Sequence, residues 1–474
     1  MNTPLRPAKR GALLLIALLA AFSGCAVHDE GRPPVAAMPA TGAFTIFLQP
    51  LPQEMHYITF TIDSMSAVRT DGSKVTLPLS LHLFDGAELL ARQKRLATTV
   101  LPPGRYTGLH IEISAATLQS EEGPMALLAP QEGLAINQPF TINADRAETL
   151  FLSLASERLI SNGVIFTPTF SLWQPERLLS SRKGFASDQA GLTIFDKRSM
   201  QAVGAISAGG PPAGLALDQG RGWLYVALPS YNLINVLEVG SGEILGQIRL
   251  RFGDDPSELA LSASGHTLAC LNRGSSSVSI IDTASLYERS RIKLASEPSW
   301  LFMGRAPGRA YVTEAGTGTL SLLDLEHGRI LATTELEEPA VQGAISNDGA
   351  SLYLVSDYSG NLLVVDATSL AVRKRIFTGG NARALRYDAA SGLIYVALKS
   401  AEIAVVDPGA LMLIDSFMLP GPVRCLTIDH EENMLFALAD RSGVLWKVDL
   451  VSKRRRGEVE LAGSGHSVVV MGQR

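Results

Sequence analysis

Seven short stretches follow one rule: Ile194-Phe195-Asp196, Val236-Leu237-Glu238, Ile280-Ile281-Asp282, Leu322-Leu323-Asp324, Val364-Val365-Asp366, Val405-Val406-Asp407 and Lys447-Val448-Asp449. Two apolar residues precede an acid in each, except that Lys447 takes the first apolar place in the last. The acids stand 42, 44, 42, 42, 41 and 42 residues apart. A second element recurs about 13 residues upstream of the acid: Tyr225-Val226-Ala227, Tyr311-Val312-Thr313, Tyr353-Leu354-Val355, Tyr395-Val396-Ala397 and, degenerate, Leu435-Phe436-Ala437. Around Leu268-Ala269-Cys270 the Tyr is lost.

A period of 41–44 residues holding four short strands reads as one blade of a β-propeller. A single four-stranded sheet cannot bury both faces, and radial stacking gives each sheet a neighbour on either side. Each acid then ends a third strand, where a carboxylate caps the following turn, so the acids are read as structural. Residues 187–474 are expected to form a seven-bladed propeller, and closure is legible as well. Residues 465–471 (GHSVVVM) supply one strand with no partner after it, while 183–210 supply three strands without an inner one. Joined, they make the seventh blade. Cys270 and Cys425 fall in blades that are not neighbours, which predicts two buried free thiols instead of a disulfide.

The repeats resemble the YVTN repeat family of bacterial propellers over all of 187–474. The resemblance implies the fold and leaves function mixed. Some seven-bladed relatives resemble sugar-lactone hydrolases, and others the non-cofactor subunit of quinoprotein dehydrogenases.

The first 24 residues read as an export signal. Arg6, Lys9 and Arg10 form a basic start, and the apolar run from Gly11 to Phe22 is too short for the roughly 20 residues a bilayer needs. It ends in Phe22-Ser23-Gly24-Cys25, which resembles the lipobox of bacterial lipoproteins, although that family prefers Leu where Phe22 stands. The resemblance implies acylation of Cys25 and, with Ala26 next, an outer-membrane anchor through lipid. Residues 25–42 are small and Pro-rich, a flexible tether. The whole chain carries a formal charge of −5, and losing the basic leader makes the remainder more negative. Such a chain is a poor binder of nucleic acid, which needs clustered Lys and Arg.

Between the tether and the repeats, residues 43–173 alternate with period two: Ile58, Phe60 and Ile62; Leu109, Ile111 and Ile113; Leu150, Leu152 and Leu154. The pattern predicts an antiparallel β-sandwich of about seven or eight strands, with a short helix over 87–97 and a linker over 174–186. The segment Leu101-Pro-Pro-Gly-Arg-Tyr106 places a tight turn before a strand. It resembles a bacterial domain of unknown function numbered 4382, often found in lipoproteins, over about 60–170. No catalytic residues follow from that resemblance. His56, His82 and His110 have no metal-ligand partner at useful spacing and read as solvated strand residues.

Chemistry is expected where the innermost strands begin, at the mouth of the central channel. Aligning the repeats places Glu258, Trp300, Gln342, Arg383, Arg424 and His466 around one opening. Arg383 and Arg424 lie on adjacent blades, as paired recognition of a carboxylate or phosphate requires. Half-buried loop polars are the plainer reading of the same residues. Lys453-Arg454-Arg455-Arg456 reads as a solvated turn. No haem, phosphate-loop, nucleophile-elbow or zinc-protease motif occurs, so no cofactor or metal is expected.

The sequence therefore points to an all-β envelope lipoprotein acting as a non-catalytic binding or scaffold protein. Its expected partners are the membrane, through the lipid, and another envelope protein or a small anionic ligand. The alternatives are a lactone-hydrolase-type enzyme and an accessory subunit of an envelope redox complex.

Overall fold

The acid-marked repeats each build a four-stranded antiparallel sheet. A computed structural model describes residues 43–144, 147–176, 178–207 and 210–473; Cys25 and the leader lie outside them. Blades 1 to 6 occupy 215–249, 256–293, 298–335, 342–377, 382–418 and 423–460, each with strands ordered from the centre outward. All seven acids are the last residue of a third strand. Each carboxylate caps the next turn: Asp196 accepts from the Arg198 amide at 3.0 Å, Glu238 from Gly240 at 2.9 Å and Asp282 from Ser285 at 2.7 Å. Asp324 accepts from Glu326 at 3.1 Å, Asp366 from Ser369 at 2.7 Å, Asp407 from Gly409 at 2.8 Å and Asp449 from Val451 at 2.9 Å. Four residues past every acid the backbone turns left-handed, at Met200, Gly242, Leu286, Gly328, Leu370, Leu411 and Lys453. The acid therefore holds a turn that five of the seven repeats make without glycine.

Blade 7 joins the two ends of the propeller segment. Val468–Val470 forms its inner strand and pairs antiparallel with Lys183–Asp188, with Phe185 opposite Val469. Gly191–Asp196 and Gln201–Ser207 complete it. The first of these strands starts at Lys183, inside the segment expected to be linker, because the clasp needs a second strand before the first acid repeat. Two buried lysines lock the seam. Lys183 Nζ donates to the carbonyls of Val239 (2.9 Å) and Gly240 (2.5 Å) in blade 1. Lys197 Nζ meets Asp429 of blade 6 at 2.6 Å and the Met471 carbonyl at 2.7 Å.

The N-terminal domain is a two-sheet sandwich, with three departures from expectation. Its smaller sheet is mixed: Ala43–Leu48 runs parallel to Glu148–Leu154 and antiparallel to Lys94–Val100. There are also more strands than the alternation suggested, because seven pair into the larger sheet around Ile58–Arg69 and the 17-residue strand Gly104–Ser120. The short helix is a single turn, Gly86–Leu89, capped by Asp85, and Lys94–Val100 is strand. Tyr106 is buried, stacks on Phe140 with centroids 5.1 Å apart, and returns its hydroxyl to the Pro102 carbonyl at 2.8 Å. The Pro-Pro-Gly turn is thus fastened from within.

The sandwich docks on the clasp. Phe47 and Phe151 share a cluster with Phe195 of blade 7 and Phe436 of blade 6. Arg95, largely buried, reaches Asp188 (3.1 Å) and Thr193 (2.5 Å). The Gln93 amide mimics a strand residue, donating to the Ala202 carbonyl at 3.0 Å and accepting its N–H at 2.8 Å.

Two outcomes follow. Truncation after Ser464 removes three buried valines and the inner strand, each valine worth roughly 1.5–3 kcal/mol. It should lower the midpoint of thermal unfolding by more than about 10 °C; an unchanged melt would mean that the clasp does not close the ring. The second concerns acid. Capping amides hold the carboxyls of Asp282 (Ser285), Asp366 (Ser369) and Asp449 (Ser452) below the usual carboxylate value, Asp449 at about 2. The unfolded chain therefore takes up protons first as pH falls. The caps contribute fully above the unfolded value of about 4 and are lost as pH falls toward about 2. Replacing the three by Asn should flatten that acid limb in urea unfolding, whereas an unaltered slope contradicts the assignment.

Candidate functional site

All six residues expected at the channel mouth line one cavity of about 230 Å³, together with Ser257, Arg273, Glu297, Pro298, Ser299, Ala315, Val341, Asp357, Cys425 and Ser467. That is slightly below the roughly 300–1,000 Å³ usual for drug-sized ligands and suits a small metabolite.

Glu258 is the third residue of the inner strand of blade 2 and His466 precedes that of blade 7, so they belong to blades on either side of blade 1. They meet because blade 1 presents Gly214 there. A Cβ at Gly214 would lie 2.6 Å from the Ser257 carbonyl oxygen and 2.8 Å from the Glu258 Cα. His466 Nε2 lies 2.6 Å from Glu258 Oε1, and its Nδ1 lies 3.3 Å from the Arg424 guanidinium. Arginine only donates, so Nδ1 accepts and Nε2–H is given to Glu258. This arrangement selects one tautomer and makes the imidazole a bridge between an acid and a guanidinium.

Arg383 and Arg424 occupy equivalent positions in blades 5 and 6. Both lean on Asp440, at 3.4 and 3.7 Å, and 34% and 42% of their side chains stay exposed. Two guanidiniums thus share one carboxylate through long contacts and retain open donors. Trp300 ties its indole N–H to the Gly343 carbonyl at 3.0 Å and forms a fixed wall. Gln342 behaves differently from the rest. It is buried, and its side-chain oxygen accepts the Leu385 amide at 2.9 Å, so it braces blade 4 against blade 5.

Cys425 corrects one expectation. Cys270 is buried, but Cys425 is only half-buried and forms part of the cavity lining. Burial nevertheless pushes its thiol up to about 11, against the pull of Arg386 and Arg424, so it stays protonated and is a weak nucleophile. The serines offer little more: Ser257 donates to the Leu271 carbonyl and Ser299 to that of Ala340. The imidazole nitrogen that would serve as a base faces Arg424. Among the described residues, no group of three or more His, Cys, Asp or Glu is arranged to hold a metal.

Alignment on the inner strand missed the second tier of the rim. Arg273, Ala315, Asp357 and Asp440 all lie four residues beyond the aromatic position of their repeats, Phe436 taking that place in blade 6. The same alignment read further along would have found Asp440. Only half of the basic run lies outside a strand: Lys453 follows the turn and lies over the Tyr395 ring, whereas Arg455 and Arg456 open the outer strand of blade 6 and pair with Glu458 at 3.1 Å and Asp449 at 3.0 Å.

No family model matches the chain, and no curated protein matches it. The resemblances to YVTN repeats and to the 4382 domain rest on their motifs alone. Solved structures do match. Hydrazine synthase of Kuenenia stuttgartiensis is 17% identical, over 53% of this chain and 86% of that one, with a TM-score of 0.48. The dihydro-heme d1 dehydrogenase NirN, solved in complex with DHE, is 14% identical, over 63% of this chain and 77% of that one, with a TM-score of 0.50. At 14% identity the likeness to NirN is one of fold alone.

Gly214→Ala tests how the mouth is built. The added methyl should push blade 2 outward and separate Glu258 from His466. The imidazole then loses its fixed tautomer, which shows in the ring 15N chemical shifts; shifts identical to wild type would contradict the close-approach account.

Proposed function

We propose that the protein is a non-catalytic binding protein of the bacterial cell envelope that takes a small carboxylate-bearing ligand at its propeller mouth. One observation carries the reading: Arg383 and Arg424, on adjacent blades, share the single counter-charge of Asp440 and keep donors open to the cavity. Two such donors suit the two oxygens of a carboxylate. The protonated Cys425 and the capped base nitrogen of His466 favour binding over turnover. The basic and apolar leader ending at Cys25 supports an anchored location, with the sandwich as a rigid stand for the propeller.

Small carboxylates such as 3-phenylpropanoate should raise the melting temperature of the full chain in a saturable way. In R383A/R424A the apparent Kd should weaken at least tenfold, corresponding to about 1.4 kcal/mol. Equal shifts in both proteins, or none in either, would defeat the proposal.

A further inference from the structure

The cavity is not simply positive. Its lining holds three arginines, 273, 383 and 424, and three acids, Glu258, Glu297 and Asp357. Arg273 and Glu297 neutralise each other at 2.5 Å, and Asp357 has Lys399 at 3.3 Å. The arginine pair on blades 5 and 6 and Glu258 on blade 2 remain. Glu258 gives one oxygen to His466 and keeps 14% of its side chain exposed. Its other oxygen has no protein partner among the described residues. A ligand with negative charge alone would be drawn by the arginines and repelled by this carboxylate.

Resting on the carboxylate reading above, we infer that the ligand is a zwitterion: an α-amino acid with an apolar side chain. His466 sets the spacing. It bridges Glu258 and Arg424 through contacts of 2.6 and 3.3 Å across one imidazole ring. An α-amino acid spans a similar gap when its carboxylate and ammonium each add a hydrogen bond of about 2.8 Å. The carboxylate lies on Arg383 and Arg424, and the ammonium on the open oxygen of Glu258. Toward blades 3 and 4 the lining includes an apolar group, Pro298, Trp300, Ala315 and Val341, set among the polar Ser299 and Gln342. A side chain projecting toward blades 3 and 4 therefore meets the anchored indole and three aliphatic surfaces, and an aromatic ring gains most there. The cavity volume is on the scale of a free amino acid.

Three probes of one shape separate the contributions in titration calorimetry on the purified full chain: L-phenylalanine, 3-phenylpropanoate without the ammonium, and 2-phenylethylamine without the carboxylate. L-phenylalanine should bind at least tenfold more tightly than either analogue. In E258Q, where Gln still accepts from His466 but carries no charge, L-phenylalanine should fall to the level of 3-phenylpropanoate. A melting curve confirms that this variant is folded. Equal or tighter binding of 3-phenylpropanoate in the wild type, or a preference for L-phenylalanine that survives in E258Q, overturns the zwitterion. If 3-phenylpropanoate still depends on Arg383 and Arg424 in that case, the carboxylate reading stands without it. If neither carboxylate binds, both fall.

Discussion

Three valines hold the ring shut. Val468, Val469 and Val470 are buried and pair with Ala186, Phe185 and Gly184 in turn, some 280 residues earlier in the chain. Radial stacking gives every blade two neighbours, and the seventh blade exists only while both ends of the propeller segment are in place. Much of the structure is arranged around that contact. Lys183 and Lys197 fasten the clasp to the blades on either side, and the sandwich packs Phe47, Arg95 and Gln93 onto it. The residue just ahead of the clasp strand is Ser467, and before it comes His466. Closing the ring therefore also delivers the imidazole that bridges Glu258 and Arg424.

This coupling explains why the mouth is asymmetric although the repeats are alike. The clasp brings His466 from the far end of the chain, blade 1 contributes a glycine where its neighbours carry side chains, and blades 5 and 6 contribute matching arginines. Burial at the rim is partial, so the charges keep enough hydration to persist while their Coulomb interactions are stronger than in bulk water. Asp440 restrains both arginines without neutralising them.

The blade count, the strand ends at the acids, and the clasp could all be read from the sequence because repetition multiplies a weak local signal. The inner-strand rim was legible for the same reason. Asp440 lies outside the inner strand and was overlooked, although it sits at a repeated position. The half-exposure of Cys425 could not be read, since it depends on the width of the channel. In the sandwich, alternation marked strands but not their direction. Whether Ala43–Leu48 runs parallel to Glu148–Leu154 is decided by pairing across a hundred residues, which no local pattern encodes. Short strands such as Leu83–Asp85 and Phe140–Ile142 hold only three residues, too few for a period to appear.

The closed ring presents an acid and an arginine pair around one cavity, the complement of an amino-acid headgroup. A crystal structure of the full chain grown with L-phenylalanine tests it most directly. The account predicts density in the mouth, with the carboxylate on Arg383 and Arg424, the ammonium on Glu258 and the phenyl ring against Trp300. An empty mouth at saturating ligand, or a molecule with its headgroup away from the arginines, would contradict it.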